Sequence, residues 1–253
     1  MHLKRNAIAE LVRWKNSAER KPMVLKGARQ VGKTWLMKEF GRLAFKNIVY
    51  INFDSNSDIA QLFAGNLDIP RLISGLEIFS RNKIVPQETL LIFDEVQEAP
   101  RALTSLKYFC EEAPEYAIVA AGSLLGVAMH QGTSFPVGKV NFLDLYPMSF
   151  TEFLNATGNE QLTELLQKGD WQLITGLKDR FIDLLRLYYY IGGMPEAVQC
   201  YLDEKDVFKV REVQKRILDA YEQDFSKHAP ANVVARIRMV WQSIPSQLAR
   251  ENR

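Results

Sequence analysis

Two spacings of apolar residues divide this chain. Up to position 146, short runs of consecutive apolar residues alternate with longer segments in which apolar residues return every three or four positions. Short continuous runs are typical of strands buried on both faces, and the longer spacing is typical of amphipathic helices. The alternation predicts an α/β fold, a parallel sheet with helices on both faces in a three-layer sandwich. The predicted strands are residues 23–25, 47–53, 89–93, 116–123 and 140–146, the last an edge strand, and the predicted helices are residues 35–44, 59–79 in pieces around Pro70, and 102–113.

Beyond Pro147 the pattern predicts helices only. Ser149 is expected to be the N-cap of the first one, because Glu152 follows three positions later, as in a capping box. Glycines and prolines interrupt the helical spacing further along the chain. The interruptions are Gly158, Gly169, Gly192-Gly193 and Pro230, and they separate helices near Trp171 and at residues 178–190, 195–201, 206–225 and 232–250.

The segment Gly27-Ala-Arg-Gln-Val-Gly-Lys-Thr34 fits the pattern G-x-x-x-x-G-K-[ST] between a predicted strand and a predicted helix. In such a Walker A loop, backbone N–H groups and the helix N-terminus bind phosphate, the lysine neutralises phosphate oxygens and the hydroxyl is a Mg²⁺ ligand. Lys33 is therefore expected to be a solvent-accessible charge rather than a core residue. A chance match in a helix-capping loop is the alternative. The candidate nucleotide-binding residues of this loop are Gly27, Ala28, Arg29, Gln30, Val31, Gly32, Lys33 and Thr34.

A second candidate motif, the Walker B segment at residues 90–95, is an apolar run that ends in Asp94-Glu95. Carboxylates at the C-terminal end of a parallel strand face the crevice where such sheets bind ligands. Asp94 is therefore expected to bind Mg²⁺ together with Thr34, and Glu95 to take a proton from an attacking water. The alternative is an acidic pair that caps the following helix. A kinase or transferase is disfavoured, because its nucleophile arrives with the substrate and needs no second acid.

Ser123 follows the next predicted strand and is a third candidate for catalysis. A hydroxyl at this strand end could hold the lytic water or sense the γ-phosphate, whereas a simple Gly-Ser turn is the alternative.

Composition narrows the class of protein without deciding it. The 253 residues are 47% hydrophobic, which is enough apolar material for one α/β core and a smaller helical unit. The net charge of +2 is ordinary for a globular protein. The two cysteines, Cys110 and Cys200, lie in helical contexts, which favours a reducing compartment. The charged N-terminus and the lack of an apolar run of about 18 residues predict a cytoplasmic protein with no signal peptide and no membrane partner.

Two further features bear on nucleic-acid partners. Residues 226–253 carry five basic side chains and one acidic side chain, which hints at an anionic partner. The run Tyr188-Tyr-Tyr190 could stack on bases if it were exposed, but consecutive helical positions point in different directions, so core packing is expected.

Six motifs in order resemble one known family. They are Lys26–Thr34, Asp94-Glu-Val-Gln97, residues 101–109, Ala121-Gly-Ser-Leu-Leu-Gly126, Leu145-Tyr-Pro-Met-Ser-Phe150 and Gly192-Gly-Met-Pro-Glu-Ala-Val198. Together they resemble the prokaryotic AAA-type P-loop ATPases that carry a C-terminal domain of unknown function, DUF4143, a group close to archaeal and STAND ATPases. The resemblance implies a sheet of the additional-strand type, ATP as the nucleotide and an all-helical lid. Gly193-Met-Pro195 resembles the G-x-P element of STAND ATPases, which implies that Pro195 packs against adenine; a proline that simply begins a helix is the alternative.

The resemblance also implies a domain division: an ATPase core at residues 1–150, a helical lid at 151–225 and the beginning of a winged-helix-like module at 226–253. Members of the family usually run past the equivalent of Arg253, so a C-terminally truncated chain is expected. A DNA or protein partner would bind through that C-terminal module, and self-association through its incomplete core is also expected.

The expected function is Mg²⁺-dependent hydrolysis of ATP to ADP, with the nucleotide state used as a conformational switch. Slow turnover is expected, because neither Arg29 nor Arg101 can be assigned from sequence as an arginine finger. The alternative is a nucleotide-dependent interaction or DNA-associated module with negligible turnover. The preference for adenine rests on the resemblance and on the lack of a guanine-reading N-K-x-D motif.

Overall fold

Five parallel strands form one sheet within the part of the chain that the computed structural model describes, residues 3–122, 136, 138–228 and 231–248. All five coincide with apolar runs that predicted strands. Their order across the sheet is β2-β3-β4-β1-β5. Their bounds are β1, Met23–Lys26; β2, Asn47–Asn52; β3, Thr89–Asp94; β4, Ala117–Ala121; and β5, Asn141–Asp144.

The order of the strands confirms the additional-strand type of sheet. Strand β4 pairs with both β1 and β3, so it separates the strand before the glycine loop from the strand that ends in Asp94. Strand β5 pairs with β1 at one edge. The chain thus moves from β1 to the far edge, returns through β3 and β4, and passes β1 to reach β5. Connections diverge at β1, and ligands bind at such points in open α/β sheets.

Helices lie on both faces of this sheet, which confirms the three-layer fold. Phe53, Phe63 and Phe93 meet edge to face in the core between the sheet and helices α3 to α5, with ring centroids 5.6 to 5.7 Å apart. Helix α2 covers the other face, where a Cβ on Gly41 would lie 3.3 Å from the Leu90 side chain. The helices up to residue 177 are α1, Ala7–Lys15; α2, Lys33–Ala44; α3, Ser57–Ala64; α4, Ile69–Ser80; α5, Pro100–Glu112; α6, Phe150–Ala156; α7, Glu160–Lys168; and α8, Trp171–Gly176, with a 3₁₀ turn at Val96–Glu98.

Two local predictions can be compared with these helices. The capping box before α6 is confirmed, because Ser149 Oγ accepts from the Glu152 N–H and Glu152 Oε2 accepts from the Ser149 N–H. The predicted interruption of residues 59–79 around Pro70 is confirmed, because α3 ends at Ala64 and α4 begins at Ile69, with Pro70 in its first turn after the N-cap Asp68. Helix α1 was not predicted, although its buried residues lie at helical spacing.

The chain forms two compact units, Met1–Leu177 and Lys178–Arg253. The second unit is helical, as predicted, and its core includes Val198 and Val210. Tyr189 and Tyr190 are 74% and 50% exposed, so the prediction that they pack in a core is wrong. In the described residues, no helix is both long and apolar enough to cross a membrane. The helices of the second unit are α9, Lys178–Ile191; α10, Pro195–Glu204; α11, Val207–His228; and α12, Ala231–Leu248.

Candidate nucleotide-binding site

The glycine loop between β1 and α2 depends on backbone conformations that favour glycine. Gly27 has φ +153°, and a Cβ there would lie 2.3 Å from the carbonyl oxygen of Leu145. Gly32 has φ 92° and is the N-cap of α2. Gln30 also lies in the left-handed region, with φ 63°. These turns bring the chain from the end of β1 to the N-terminus of α2, where the helix dipole favours an anion.

Lys33 is buried, with 7% of its surface exposed, so the prediction that it is solvent-accessible is wrong. Its Nζ donates to the carbonyl oxygens of Gly27 at 2.8 Å and Ala28 at 2.7 Å. Burial lowers the pKa of Lys33, whereas Glu95 and Asp94 raise it and Arg29 lowers it. The two loop carbonyls compensate for the desolvation of the ammonium. Through these contacts Lys33 links the end of the loop to its beginning.

The Thr34 side chain, in the first turn of α2, contacts Asp94 at the end of β3. The Thr34 hydroxyl donates to Asp94 Oδ2 at 2.6 Å, and Asp94 is only 2% exposed. The Tyr50 hydroxyl donates to the same oxygen at 3.0 Å, and the Glu95 N–H donates to Oδ1 at 3.1 Å. Hydroxyl and carboxylate oxygens are the ligands that Mg²⁺ prefers, so this donor set fits the predicted ion.

Glu95 turns the chain sharply at the end of β3. Its φ of 51° lies in the left-handed region, which costs a residue with a side chain roughly 1–3 kcal/mol. Its Oε2 accepts a hydrogen bond of 2.7 Å from Nε2 of Gln97 in the following 3₁₀ turn. Gln97 belongs to the Asp94-Glu-Val-Gln97 motif, but nothing in that motif predicted a role for it.

The structure brings together the loop, Thr34, Asp94 and Glu95, but not every predicted site residue. Ser123 lies outside the described residues. Pro195 lies in the second unit, in the first turn of α10, as the helix-start alternative predicts; its contact with adenine remains a prediction. Arg101 donates to the carbonyl oxygens of Phe63 and Gly65, at 3.1 and 2.7 Å, so it holds the end of α3.

Arg5 contacts the loop and was missed by the sequence analysis. Its Nη1 donates to the Val31 carbonyl oxygen at 2.9 Å, and its Nε donates to Glu152 Oε1 at 3.1 Å. An isolated arginine in a charged N-terminal segment carries no sequence signal of burial, because its partners are distant along the chain.

The profile of a family described as AAA domain matches residues 19–154, more than half of the chain. The chain belongs to the AAA domain family. The matched AAA domain contains all five strands of the sheet, the glycine loop and the Asp94-Glu95 pair. Residues 182–252 match a domain of unknown function, DUF8612, which differs from the predicted DUF4143.

Several solved structures are similar to the chain, at low identity. The ORC2 protein of Aeropyrum pernix in its ADPNP-ADP complexes is 18% identical over 65% of this chain and 52% of that one, with a TM-score of 0.43. Drosophila ORC bound to DNA is 15% identical over 84% of this chain and 66% of that one, with a TM-score of 0.46. PCH-2 of C. elegans is 15% identical over 66% and 48%, with a TM-score of 0.39. The chain thus spans about half the length of the Aeropyrum protein. No curated protein matches the chain.

Proposed function

We propose that this chain is a Mg²⁺-dependent ATPase that binds ATP at residues 27–34 and uses its nucleotide state as a conformational switch. The observation that carries the proposal is the 2.6 Å hydrogen bond between Thr34 Oγ1 and Asp94 Oδ2. It joins the two motifs that are 60 positions apart in sequence, at the divergence of the connections around β1. A loop that served only to cap α2 would need no buried carboxylate beside Thr34.

In this proposal, the loop N–H groups and Lys33 bind the phosphates. The ammonium has three donors, and the carbonyls of Gly27 and Ala28 take two of them. A phosphate oxygen would bind to the third donor or replace a carbonyl. Mg²⁺ held by Thr34 and Asp94 would neutralise charge on the phosphate oxygens.

In the proposed hydrolysis, Glu95 is the general base. A water oxygen attacks the γ-phosphorus, the bond from this phosphorus to the β–γ bridging oxygen breaks, and a proton of the water passes to the Glu95 carboxylate. ADP and inorganic phosphate are the products. Turnover is expected to be slow, because Arg101 holds the end of α3 and no arginine finger is assigned.

One observation favours a second candidate, a nucleotide-dependent interaction module with negligible turnover. Glu95 Oε2 accepts a 2.7 Å hydrogen bond from the Gln97 amide, which occupies part of the acceptor capacity that a lytic water would need. Such a module would use ATP binding alone to change its affinity for a protein or DNA partner through residues 226–253.

The deciding experiment measures binding and phosphate release on the same preparations. Wild-type protein is titrated with ATP, GTP and their non-hydrolysable analogues, with Mg²⁺ or with EDTA, and phosphate release is then followed. Glu95→Gln should bind ATP as the wild type does and release phosphate about 10²- to 10⁴-fold more slowly. Binding without release above the level of Glu95→Gln would support the interaction module, and the absence of any nucleotide binding would exclude both candidates.

A further inference from the structure

The guanidinium of Arg5 is buried against the phosphate-binding loop. Arg5 is only 7% exposed, and each of its three nitrogens donates a hydrogen bond. The acceptors are the carbonyl oxygens of Val31 at 2.9 Å and Tyr146 at 2.6 Å, and Glu152 Oε1 at 3.1 Å. Through the Val31 carbonyl, this buried arginine contacts the loop directly.

The Val31 carbonyl belongs to the middle of this loop. In a loop whose N–H groups converge on phosphate, carbonyls of the same segment point away from the ligand and need donors elsewhere. Val31 itself is completely buried, so water is a poor substitute for such a donor. Arg5 supplies such a donor to the Val31 carbonyl.

Glu152 fixes the orientation of Arg5. Its carboxylate is also buried and accepts three hydrogen bonds, from Arg5 Nε, from the Asn6 N–H at 2.7 Å and from the Ser149 N–H at 2.9 Å. The ion pair is desolvated on both sides, and removal of either partner would leave a buried charge uncompensated. Because Glu152 is also the N3 residue of the capping box, the guanidinium is bound to the start of α6.

The segment before α6 contacts the start of the loop as well. The Leu145 N–H donates to the Lys26 carbonyl oxygen at 2.7 Å, and the Leu145 carbonyl occupies the space where a Cβ on Gly27 would lie. Arg5 binds the neighbouring Tyr146 carbonyl and the Val31 carbonyl together. The guanidinium thus links this segment to the middle of the loop.

We propose that Arg5 is a positioning residue for phosphate binding. By fixing the Val31 carbonyl against Tyr146 and Glu152, it holds the loop N–H groups in the orientation that a phosphate requires. The proposal rests on the proposed nucleotide binding. It requires that a change at Arg5 weakens binding of phosphate groups in protein that is still folded, whereas a residue needed only for stability would change the melting temperature alone.

The test compares Arg5→Lys with Arg13→Lys, a matched control on the exposed side of α1. Lysine keeps the charge opposite Glu152, but it cannot reproduce the planar set of three contacts. Affinities for ADP and for inorganic pyrophosphate are measured by calorimetry well below each melting temperature. Arg5→Lys should weaken both affinities on the order of tenfold, as expected for a lost hydrogen bond to a charged group, and Arg13→Lys should change neither.

The outcomes separate this inference from the proposed function. If the wild type binds ADP and pyrophosphate but Arg5→Lys binds them as tightly as Arg13→Lys does, the positioning role is overturned and the proposed function stands. If the wild type binds neither, the proposed function fails, and the positioning role fails with it. If Arg5→Lys does not fold, Glu152→Gln decides, because it loosens Arg5 while keeping an acceptor oxygen. An unchanged affinity of folded Glu152→Gln for ADP would overturn the role, and a several-fold loss would support it.

Discussion

The hydroxyl of Tyr50 donates to Asp94 Oδ2, the same carboxylate oxygen that accepts the Thr34 hydroxyl. Tyr50 lies on β2, and its ring also contacts the Lys38 ammonium, which is 3.7 Å from the ring centroid. The Asp94 carboxylate is thus oriented from two elements, α2 and β2. A buried carboxylate fixed in this way can present its oxygens to an ion at little reorganisation cost.

Tyr50→Phe should weaken Mg²⁺ binding and leave the fold intact. The variant removes one hydrogen bond to a predicted metal ligand, and such outer contacts typically change metal affinity about 10- to 100-fold. The measurement is the Mg²⁺ dependence of ADP binding, with Tyr189→Phe as a control at an exposed position of the second unit. Equal Mg²⁺ requirements in the two variants would show that Tyr50 does not orient Asp94.

Lys33→Ala should abolish tight ATP binding and also lower stability. Because the ammonium donates to the Gly27 and Ala28 carbonyls, its removal loses both hydrogen bonds, at about 0.5–1.5 kcal/mol each. Urea unfolding gives the free energy, and Lys107→Ala on the exposed side of α5 is the control. ATP affinity retained within about threefold would contradict the assignment of the loop.

Gly27→Ala should be much more damaging than Gly158→Ala. Both glycines have positive φ, +153° at Gly27 and +77° at Gly158, so both variants incur backbone strain of roughly 1–3 kcal/mol. Only at Gly27 would the new Cβ meet a backbone atom, the Leu145 oxygen at 2.3 Å, whereas nothing lies within 4 Å at Gly158. Overpacking of this kind costs about 1–3 kcal/mol more. A larger loss of unfolding free energy for Gly27→Ala than for Gly158→Ala would support the clash, and equal losses would mean that the loop shifts without cost.

Helix α12 should mediate concentration-dependent self-association. Met239, Val240 and Ile244 on this helix are 70%, 64% and 39% exposed, and exposed apolar side chains that lie close together favour association. Hydrogen exchange over residues 231–253 should therefore slow as protein concentration rises. Val240→Glu should abolish that dependence. Strong protection that is independent of concentration in a monomer would exclude the association.

The sheet could be predicted from sequence because its signal is local. Strands β1, β3 and β4 are buried on both faces or nearly so, and a buried parallel strand needs apolar side chains at consecutive positions. The glycine loop could also be predicted, since the spacing of its glycines, lysine and threonine follows from the backbone geometry needed around a phosphate. Asp94 could be placed beside it because the carboxyl ends of parallel strands share one edge.

Contacts between distant residues could not be predicted in this way. The roles of Tyr50 and Arg5 depend on partners that are 44 and up to 147 positions away. Lys33 was misplaced for a different reason, because its carbonyl partners are only five and six positions away but their orientation depends on the turns of the loop. Tyr189 and Tyr190 were misplaced for a related reason. Apolar character alone does not decide which side of a helix meets a neighbour, because that depends on how the helices pack.

The position of Arg5 has a practical consequence for the limits of the domain. The match to the AAA domain begins at residue 19, after helix α1 and after Arg5, which donates to the Val31 carbonyl of the loop. A shortened protein that began there would keep every residue of both Walker motifs, yet it would leave Glu152 buried without its cation. The proposed role of Arg5 therefore predicts that the smallest unit able to hold the loop in shape begins before residue 19.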